Sequence, residues 1–160
     1  MPTKSLASLS HALAPLAVRG ELNVPVSGIS LYADQTQPGD VFMTVRGTAR
    51  DGHEFIRQAV ARGAVAVVGE RSPDELVARG WLPEGVPYVQ VADGRGAQAQ
   101  LAAAFYDYPG RRLTVVGVTG TDGKTTTSLL TYGVLKAAGL KVGAVTTVSA
   151  LVGDTEMDTG

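Results

Sequence analysis

A glycine-rich segment, Gly120 to Thr126, combines residue types that bind phosphate groups. It reads G-T-D-G-K-T-T and stands between an apolar, β-branched run, Leu113 to Val118, and a segment with helical character. A helix N-terminus preceded by glycines presents free backbone N–H groups and the positive end of the helix dipole to an anion. Lys124 adds a mobile positive charge, and the hydroxyl of Thr125 can ligate magnesium. The order strand, loop, helix therefore predicts a nucleotide-phosphate site, the alternative being an ordinary glycine-rich turn beside a lysine.

The segment departs at one position from the common phosphate-loop pattern G-x-x-x-x-G-K-[ST]. That pattern places a glycine five residues before Gly123, where this chain has Val118. The glycine stands at Gly120 instead, which gives T-G-T-D-G-K-T. The spacing alone leaves open whether this is a variant of the loop or a defect in it.

Segments typical of strands and helices alternate along the chain, which predicts an α/β fold. Ser5 and Ser72 are predicted helix caps, and Pro73 suits a first helical position. The run Ala64 to Val68 is continuously apolar, as in a strand buried on both faces. The predicted helices cover 5–16, 53–62, 73–79, 97–108 and 125–138, and the predicted strands cover 21–30 (as two), 41–45, 64–68, 88–92, 113–118, 141–148 and 151–157.

Two domains are predicted, residues 1–92 and 93–160, with the boundary in the turn from Ala92 to Gly96. The first is a small α/β domain, and the second is the start of a phosphate-loop, ATP-binding domain with a parallel sheet. From Leu113 onward the pattern yields only a strand, a helix, a strand and a short tail. A parallel sheet needs several strands covered on both faces. We therefore expect the second domain to be truncated in this chain.

The composition argues against several classes of function. The net charge of -1 gives no electrostatic reason to expect nucleic acid or an anionic membrane as a partner. The absence of cysteine excludes disulfides and thiolate metal sites. No apolar run approaches the roughly 18 residues that span a bilayer, and the N-terminus lacks the apolar core of a signal peptide. These features favour a cytoplasmic location. His11 is expected on a solvated surface, and His53 in a local hydrogen bond at a helix start rather than as a catalytic base.

The loop and its surroundings resemble the Mur ligase family of ATP-dependent amide-forming ligases. V-G-V-T-G-T-D-G-K-T-T-T, from Val116 to Thr127, resembles that family's ATP-binding loop, in which T-G-T-x-G-K-T is the usual form. The blocks Q-P-G-D-V-F (Gln37 to Phe42), R-G-T-A-R-D-G-H-E-F-I (Arg46 to Ile56) and G-A-V-A-V-V (Gly63 to Val68) resemble the N-terminal region of the branch that makes UDP-N-acetylmuramoyl tripeptides. The resemblance covers nearly the whole chain.

The resemblance implies an ATP-dependent ligase that adds one amino acid to UDP-N-acetylmuramoyl-dipeptide in peptidoglycan synthesis. The substrate carboxylate is phosphorylated to an acyl phosphate, the incoming amine attacks, and phosphate leaves. By position, Lys124 would be the catalytic residue that neutralises charge on the transferring phosphoryl group, and Thr125 would ligate Mg²⁺. The implied substrates are ATP, a UDP-muramoyl peptide and an amino acid, and the intact protein is expected to be a monomer. The residues expected at the ATP phosphates are Gly120, Thr121, Asp122, Gly123, Lys124, Thr125 and Thr126.

One stretch departs from that branch. It usually carries D-S-R before the Pro-Gly-Asp turn, where the motif helps hold the uridine end of the substrate, and this chain has Tyr32, Ala33 and Asp34. The plain alternative for these three residues is a solvated loop. Leu31 and Thr48 fall where substrate contacts are expected.

Three hypotheses stay open from the sequence. The chain is the N-terminal part of such a ligase and inactive alone, or part of a Mur-type ligase whose substrate is not UDP-linked. The third possibility is a non-catalytic nucleotide-binding or interaction module. The domain that selects the amino acid is not expected within these 160 residues.

Overall fold

The computed structural model describes residues 3–47 and 50–158 of the 160-residue chain. The chain forms two compact units, Met1–Leu113 and Thr114–Gly160. Short 3₁₀ turns cover Ala33–Gln35, Gly52–Phe55 and Pro109–Arg112. The helices and strands are β1 (Lys4–Ser5), α1 (Leu6–Ser10), β2 (Ala17–Arg19), β3 (Pro25–Val26), β4 (Gly28–Ser30), β5 (Asp40–Met43), α2 (Ile56–Ala61), β6 (Ala66–Gly69), α3 (Pro73–Ala78), β7 (Tyr88–Gln90), α4 (Gly94–Phe105), α5 (Lys124–Ala137), β8 (Gly143–Val145), β9 (Ser149–Val152) and β10 (Thr155–Asp158).

The first unit is built on a five-stranded sheet with the order β2-β7-β6-β5-β4. The four strands β4 to β7 are parallel, and β2 is antiparallel at the edge. The carboxyl ends of parallel strands meet at one edge of a sheet, where α/β proteins bind their ligands. Thr44 and Glu70, which directly follow β5 and β6, therefore lie at the same edge of this sheet.

Helices cover both faces of this sheet and create two apolar clusters. Side chains alternate along a strand, so β5 contributes Val41 and Met43 to one cluster and Phe42 to the other. This arrangement confirms the α/β class and the buried strand predicted at Ala64 to Val68. The helices α1 and α4 supply Leu6, Leu9, Leu101 and Phe105 to the first cluster, and α2 and α3 supply Ile56 and Leu76 to the second.

Local capping fixes where the helices begin. The Ser5 hydroxyl accepts the N–H of Ser8 at 3.2 Å, and the Ser72 hydroxyl accepts the N–H of Glu75 at 3.3 Å. Both caps were predicted from the sequence. The first helix is shorter than expected, because it ends at Ser10 before Ala14, which has a φ of 46°.

The structure divides the chain later than the turn from Ala92 to Gly96. Leu101 and Phe105 of α4 are buried in the first unit's core. Lys4 holds the end of the same helix through a 2.6 Å hydrogen bond to the Ala104 carbonyl. The alanine-rich helix therefore belongs to the first unit rather than to the second. The functional assignment of the two predicted domains stays a prediction.

The second unit consists of α5 and a three-stranded antiparallel sheet, β8-β9-β10. The hairpin around Gly153 agrees with the strand predicted after Leu151. The expected strand Leu113 to Val118 is not paired with any strand in the described residues, and Val115 is 76% exposed. A strand exists only with a hydrogen-bonded neighbour, and β8 pairs with β9 instead of with this segment. The parallel sheet expected for this unit is thus replaced by an antiparallel one within residues 114–158.

Among the residues that the structure describes, no helix has the length and apolar character needed to cross a membrane.

Candidate functional site

The predicted phosphate loop forms a tight turn at the start of α5. Gly120 has a φ of +150° and Gly123 a φ of +73°, backbone angles that residues with a Cβ rarely adopt. Gly123 is the N-cap of α5, and the first bond of the helix runs from the Thr127 N–H to the Gly123 carbonyl at 2.8 Å. No side chain caps this helix. The N–H groups of its first turn are therefore available to an anion.

Lys124 lies back over the loop that precedes it. Its Nζ donates to the carbonyls of Gly120 at 2.6 Å and Thr121 at 3.0 Å. The ammonium group thus lies beside the loop backbone. Asp122 is exposed, as are its neighbours Thr121 and Gly123. The structure brings the predicted segment from Gly120 to Thr126 together as one loop and helix start.

A second candidate site is a cavity of about 470 Å³ in the first unit. It lies at the carboxyl-end edge of the sheet. Leu31, a predicted substrate residue, lines it, while Thr48, the other one, lies outside the described residues. The residues that line the cavity are Leu31, Tyr32, Ala33, Asp34, Phe42, Met43, Thr44, Val45, Gly47, Arg50, Gly52, Phe55, Gln58 and Gln98.

The stretch from Tyr32 to Asp34 is more than a solvated loop. Tyr32 and Asp34 are exposed, but Ala33 is buried at the start of a 3₁₀ turn, and all three residues line the cavity. The substituted stretch therefore forms one wall of the candidate site.

The cavity combines apolar walls with polar groups that are open to a ligand. The side chains of Asp34, Gln58 and Gln98 have no hydrogen-bond partner among the described residues. The Arg50 guanidinium lies 4.7 Å from the centre of the Phe55 ring and donates to Glu54 at 3.4 Å. Such a mixture of ring faces, amides and charges suits a heterocyclic ligand with donor and acceptor groups.

One buried polar atom in the cavity wall is also unpaired. Thr44 is 2% exposed, and its hydroxyl has no hydrogen-bond partner in the described part of the chain. Buried hydroxyls without a partner are uncommon, because desolvation without a hydrogen bond is costly.

A hydrogen-bonded network connects residues that lie next to the cavity lining. His53 is fully buried, and its Nδ1 lies 2.5 Å from Oδ1 of Asp51. Its Nε2 accepts the backbone N–H of Glu70 at 3.0 Å and of Arg71 at 3.3 Å. Since Nε2 is an acceptor, the proton of the neutral ring is on Nδ1 and is donated to Asp51. The predicted local hydrogen bond of His53 at a helix start is confirmed.

Burial and hydrogen bonding set the charge states in this network. Burial lowers the pKa of His53, and the contact with Asp51 offsets this only in part. Burial opposes ionisation of Asp51, but hydrogen bonds from His53 and Arg71 outweigh it and lower the pKa of Asp51 to about 2. At neutral pH the network contains a neutral imidazole beside an ionised carboxylate.

The sequence contained a signal for this site that motif reading missed. The buried strand β6 is followed at once by Glu70 and Arg71, and charged residues at the carboxyl end of a central parallel strand are often functional. Which loop they meet depends on the strand order, which the sequence does not give.

The described residues contain no group of three or more His, Cys, Asp or Glu side chains able to hold a metal ion. Near the phosphate loop, the hydroxyl of Thr125 follows Lys124 in the first turn of α5. A hydroxyl in this place supplies one magnesium ligand, and nucleotide phosphates supply others. The residues present therefore fit a magnesium ion that arrives with a nucleotide.

The chain has relatives among proteins of known family. It is 44% identical over 137 residues to the UDP-N-acetylmuramyl-tripeptide synthetase of Deinococcus radiodurans, an alignment that covers 86% of this chain and 27% of that protein. It is 37% identical over 154 residues to the UDP-N-acetylmuramoyl-L-alanyl-D-glutamate--2,6-diaminopimelate ligase of Bacteroides fragilis, covering 96% of this chain and 30% of the relative. The chain thus spans less than a third of the length of either relative.

A solved structure is also similar. The MurF ligase from Thermotoga maritima in complex with ADP matches with a TM-score of 0.55 and 33% identity, over 70% of this chain and 24% of that one. Residues 25–106 match the family model described as "Mur ligase family, catalytic domain". Since this match spans a little over half of the sequence and lies within the unit that carries the cavity, the chain belongs to the Mur ligase family.

Proposed function

We propose that this chain is the N-terminal part of an ATP-dependent ligase that adds an amino acid to UDP-N-acetylmuramoyl-dipeptide. The phosphate loop would bind the phosphates of ATP, and the cavity of the first unit would bind the nucleotide end of the muramoyl substrate. Two relatives carry names of muramoyl-peptide ligases, and one similar structure is described with ADP. These names support the substrate class by family membership.

The observation that carries the proposal is the geometry of the phosphate loop. Two glycines with positive φ lead into the uncapped α5, and Lys124 lies over the same loop. The two carbonyl contacts keep the ammonium group beside the loop that would hold the phosphates. A nucleotide phosphate would replace both carbonyl contacts and add hydrogen bonds from the first turn of α5.

The proposed chemistry is phosphoryl transfer followed by amide formation. The substrate carboxylate attacks the γ-phosphorus and ADP leaves, and then the amine attacks the acyl carbon and releases phosphate. Lys124 would stabilise the negative charge that builds on the transferring group, and the N–H groups of Lys124 and Thr125 would hold the phosphate oxygens. Thr125 would hold Mg²⁺, which supplies further charge neutralisation on the phosphates when bound.

The chain spans less than a third of the length of its relatives. We therefore expect this 160-residue chain to bind nucleotides without catalysing ligation. In the full-length gene product, ATP hydrolysis is expected only when the muramoyl-peptide nucleotide and the amino acid are both present.

A second candidate function is a Mur-type ligase with a substrate that is not UDP-linked. The specific observation is that Asp34, which lines the cavity, has no hydrogen-bond or ion-pair partner among the described residues. An unpaired carboxylate disfavours a diphosphate nearby, because like charges repel. Tight binding of a muramoyl peptide without UDP, together with no binding of UDP, would favour this candidate.

The proposal is tested by titrating ADP and MgATP into the chain by calorimetry, with Lys124→Ala as the variant and Lys141→Ala as the control. Both lysines are exposed, and Lys141 lies outside the loop, after α5. Lys124→Ala should weaken ADP binding about tenfold or more, as expected for loss of a hydrogen bond between charged groups. Lys141→Ala should bind as the wild type does. Equal affinity in the Lys124 variant would refute the phosphate role, and binding without turnover in the full-length protein would favour a non-catalytic module.

A further inference from the structure

Two walls of the cavity in the first unit come from distant parts of the sequence. One wall is the loop after β5, which carries Gly47 and Arg50, and the other is α4, which carries Gln98. The side chain of Glu70, which directly follows β6, contacts both of these segments.

Each carboxyl oxygen of Glu70 holds one wall. Its Oε2 accepts the backbone N–H of Arg46 at 3.0 Å, one residue before Gly47. Its Oε1 accepts the backbone N–H of Gly94 at 2.8 Å, at the start of α4. Gln98 lies four residues after Gly94, so the anchored N–H and the Gln98 side chain share one face of the helix. One carboxyl group therefore fixes the distance between the loop and the helix.

The far end of the loop is held by the same segment of chain. Arg71, the neighbour of Glu70, donates its Nε to Oδ2 of Asp51 at 2.6 Å. Arg46 and Asp51 also form an isolated antiparallel bridge. Arg46 and Asp51 are thus paired with each other, and two consecutive residues, Glu70 and Arg71, hold one of them each.

The absence of a side chain at Gly94 shows how closely the walls approach. A Cβ there would lie 2.6 Å from Cγ1 of Val45 and 2.9 Å from Oε1 of Glu70. Any larger residue would require the side chains of Val45 and Glu70, or α4 itself, to shift. The lack of a side chain at Gly94 therefore leaves room for the Glu70 carboxylate at the start of α4.

We propose that Glu70 is a positioning residue for the cavity: it holds the Arg46–Asp51 loop and the N-terminus of α4 at the spacing that ligand binding requires. This inference rests on the proposed function, because it takes the cavity as the site for the UDP end of the substrate. Glu70 itself does not line the cavity and is not expected to touch the ligand.

The test compares Glu70→Ala and Glu70→Gln with Glu84→Ala, a control that removes an exposed carboxylate from the turn before β7. UDP is the probe, titrated into the 160-residue chain at a temperature where circular dichroism shows every variant folded. Amide hydrogen exchange at Arg46 and Gly94 is measured by NMR without ligand. Glutamine has one acceptor oxygen for the two N–H donors, so it should restore one anchor and not the other.

Glu70→Ala loses two hydrogen bonds, so it should speed amide exchange at both Arg46 and Gly94 and weaken UDP binding roughly tenfold. Glu70→Gln loses one hydrogen bond, so its effects should lie between those of the wild type and of Glu70→Ala. The control variant Glu84→Ala should change neither the amide exchange rates nor the UDP affinity. A folded Glu70→Ala chain with wild-type UDP affinity would overturn the inference, and so would faster exchange at only one of the two amides. If Glu70→Ala does not fold, Glu70→Gln decides: faster exchange at one of the two amides with weaker UDP binding supports the inference, and wild-type exchange at both amides with wild-type UDP affinity overturns it.

Absence of UDP binding by the wild type would overturn the proposed use of the cavity instead. In that case the positioning role is decided by the exchange rates and by the side-chain amide signal of Gln98, which should shift in Glu70→Ala. An unshifted Gln98 signal would overturn the positioning role as well.

Discussion

Nε2 of His53 accepts the backbone N–H of Glu70 at 3.0 Å, which joins a buried imidazole to the residue whose carboxylate holds both Arg46 and Gly94. The same ring donates through Nδ1 to Asp51, which pairs with Arg46 in the loop after β5. His53 therefore connects the loop to the end of β6 from inside the protein. Its role is structural, and it acts on the candidate site through the backbone.

Replacement of His53 should destabilise the first unit strongly. His53→Ala leaves a cavity, two backbone N–H groups without an acceptor, and Asp51 without its donor. Together these predict a loss of about 2–5 kcal/mol in the free energy of unfolding. The measurement is urea unfolding followed by the fluorescence of Trp81, which packs against the second apolar cluster of this unit.

The matched control is His11→Ala, because His11 is exposed. This variant should lie within about 0.5 kcal/mol of the wild type. Equal unfolding midpoints for the His53 and His11 variants would contradict the structural role of the buried ring.

The stability of the first unit should fall in two steps as the pH is lowered. The pKa of folded His53 is below its ordinary value of 6.5, so the unfolded chain binds the proton first and stability declines as the pH falls below 6.5. The folded Asp51 has a pKa of about 2 against an ordinary 3.8, so a second decline follows as the pH falls from about 4 towards 2. Trp81 fluorescence in urea at a series of pH values measures both.

Two variants separate these steps. His53→Gln removes the titrating ring and should flatten the decline just below pH 6.5. Asp51→Asn should flatten the decline below about pH 4. A wild-type curve that rises as the pH falls from about 7 to about 5 would contradict the sign of the His53 shift.

Features set by neighbours in sequence were predictable, and features set by strand pairing were not. The caps at Ser5 and Ser72 and the glycine turn before α5 depend on residues within one helical turn, and they form as expected. The buried strand β6 was visible because its run of apolar residues is uninterrupted. Each of these elements carries its own signal in a short window of sequence.

The cavity and its supporting network have no such local signal. Glu70 meets Arg46 and Gly94 across 24 residues in each direction, and only the order β6-β5 brings the first pair together. The predicted domain boundary, at Ala92 to Gly96, precedes the division after Leu113 for the same reason. An alanine-rich helix gives no indication of which core it joins until Leu101 and Phe105 are seen packed. The segment from Leu113 to Val118 has a strand's composition but no paired neighbour within the described residues.

ADP binding by the phosphate loop should require a glycine at position 123, even though alanine is the better helix former. Gly123→Ala places a Cβ at a φ of +73°, which costs roughly 1–2 kcal/mol and distorts the turn that presents the N–H groups. Binding of ADP should weaken at least about tenfold, measured by calorimetry.

Gly133→Ala is the matched control, because Gly133 lies inside the same helix and an added Cβ there would meet only open space. That change should raise helix stability by up to about 1 kcal/mol and leave ADP binding unchanged. ADP affinity that is unchanged in Gly123→Ala, or lost equally in both variants, would contradict a specific role for the turn.

Asp34 should set how well the cavity accepts a diphosphate. Its carboxylate lines the cavity without a cationic partner among the described residues, so it would repel the charges of UDP. Asp34→Asn keeps the shape and removes the charge. UDP affinity should therefore rise by roughly threefold to tenfold at low salt, and the gain should shrink as added salt screens the repulsion.

Uridine, which lacks phosphates, should bind the wild type and the variant equally. Glu84→Gln, which removes a distant exposed charge, controls for net charge and should leave both affinities unchanged. An equal gain for UDP and uridine would indicate that Asp34 acts on the base rather than on the phosphates, and it would remove the electrostatic reason for preferring a substrate without UDP.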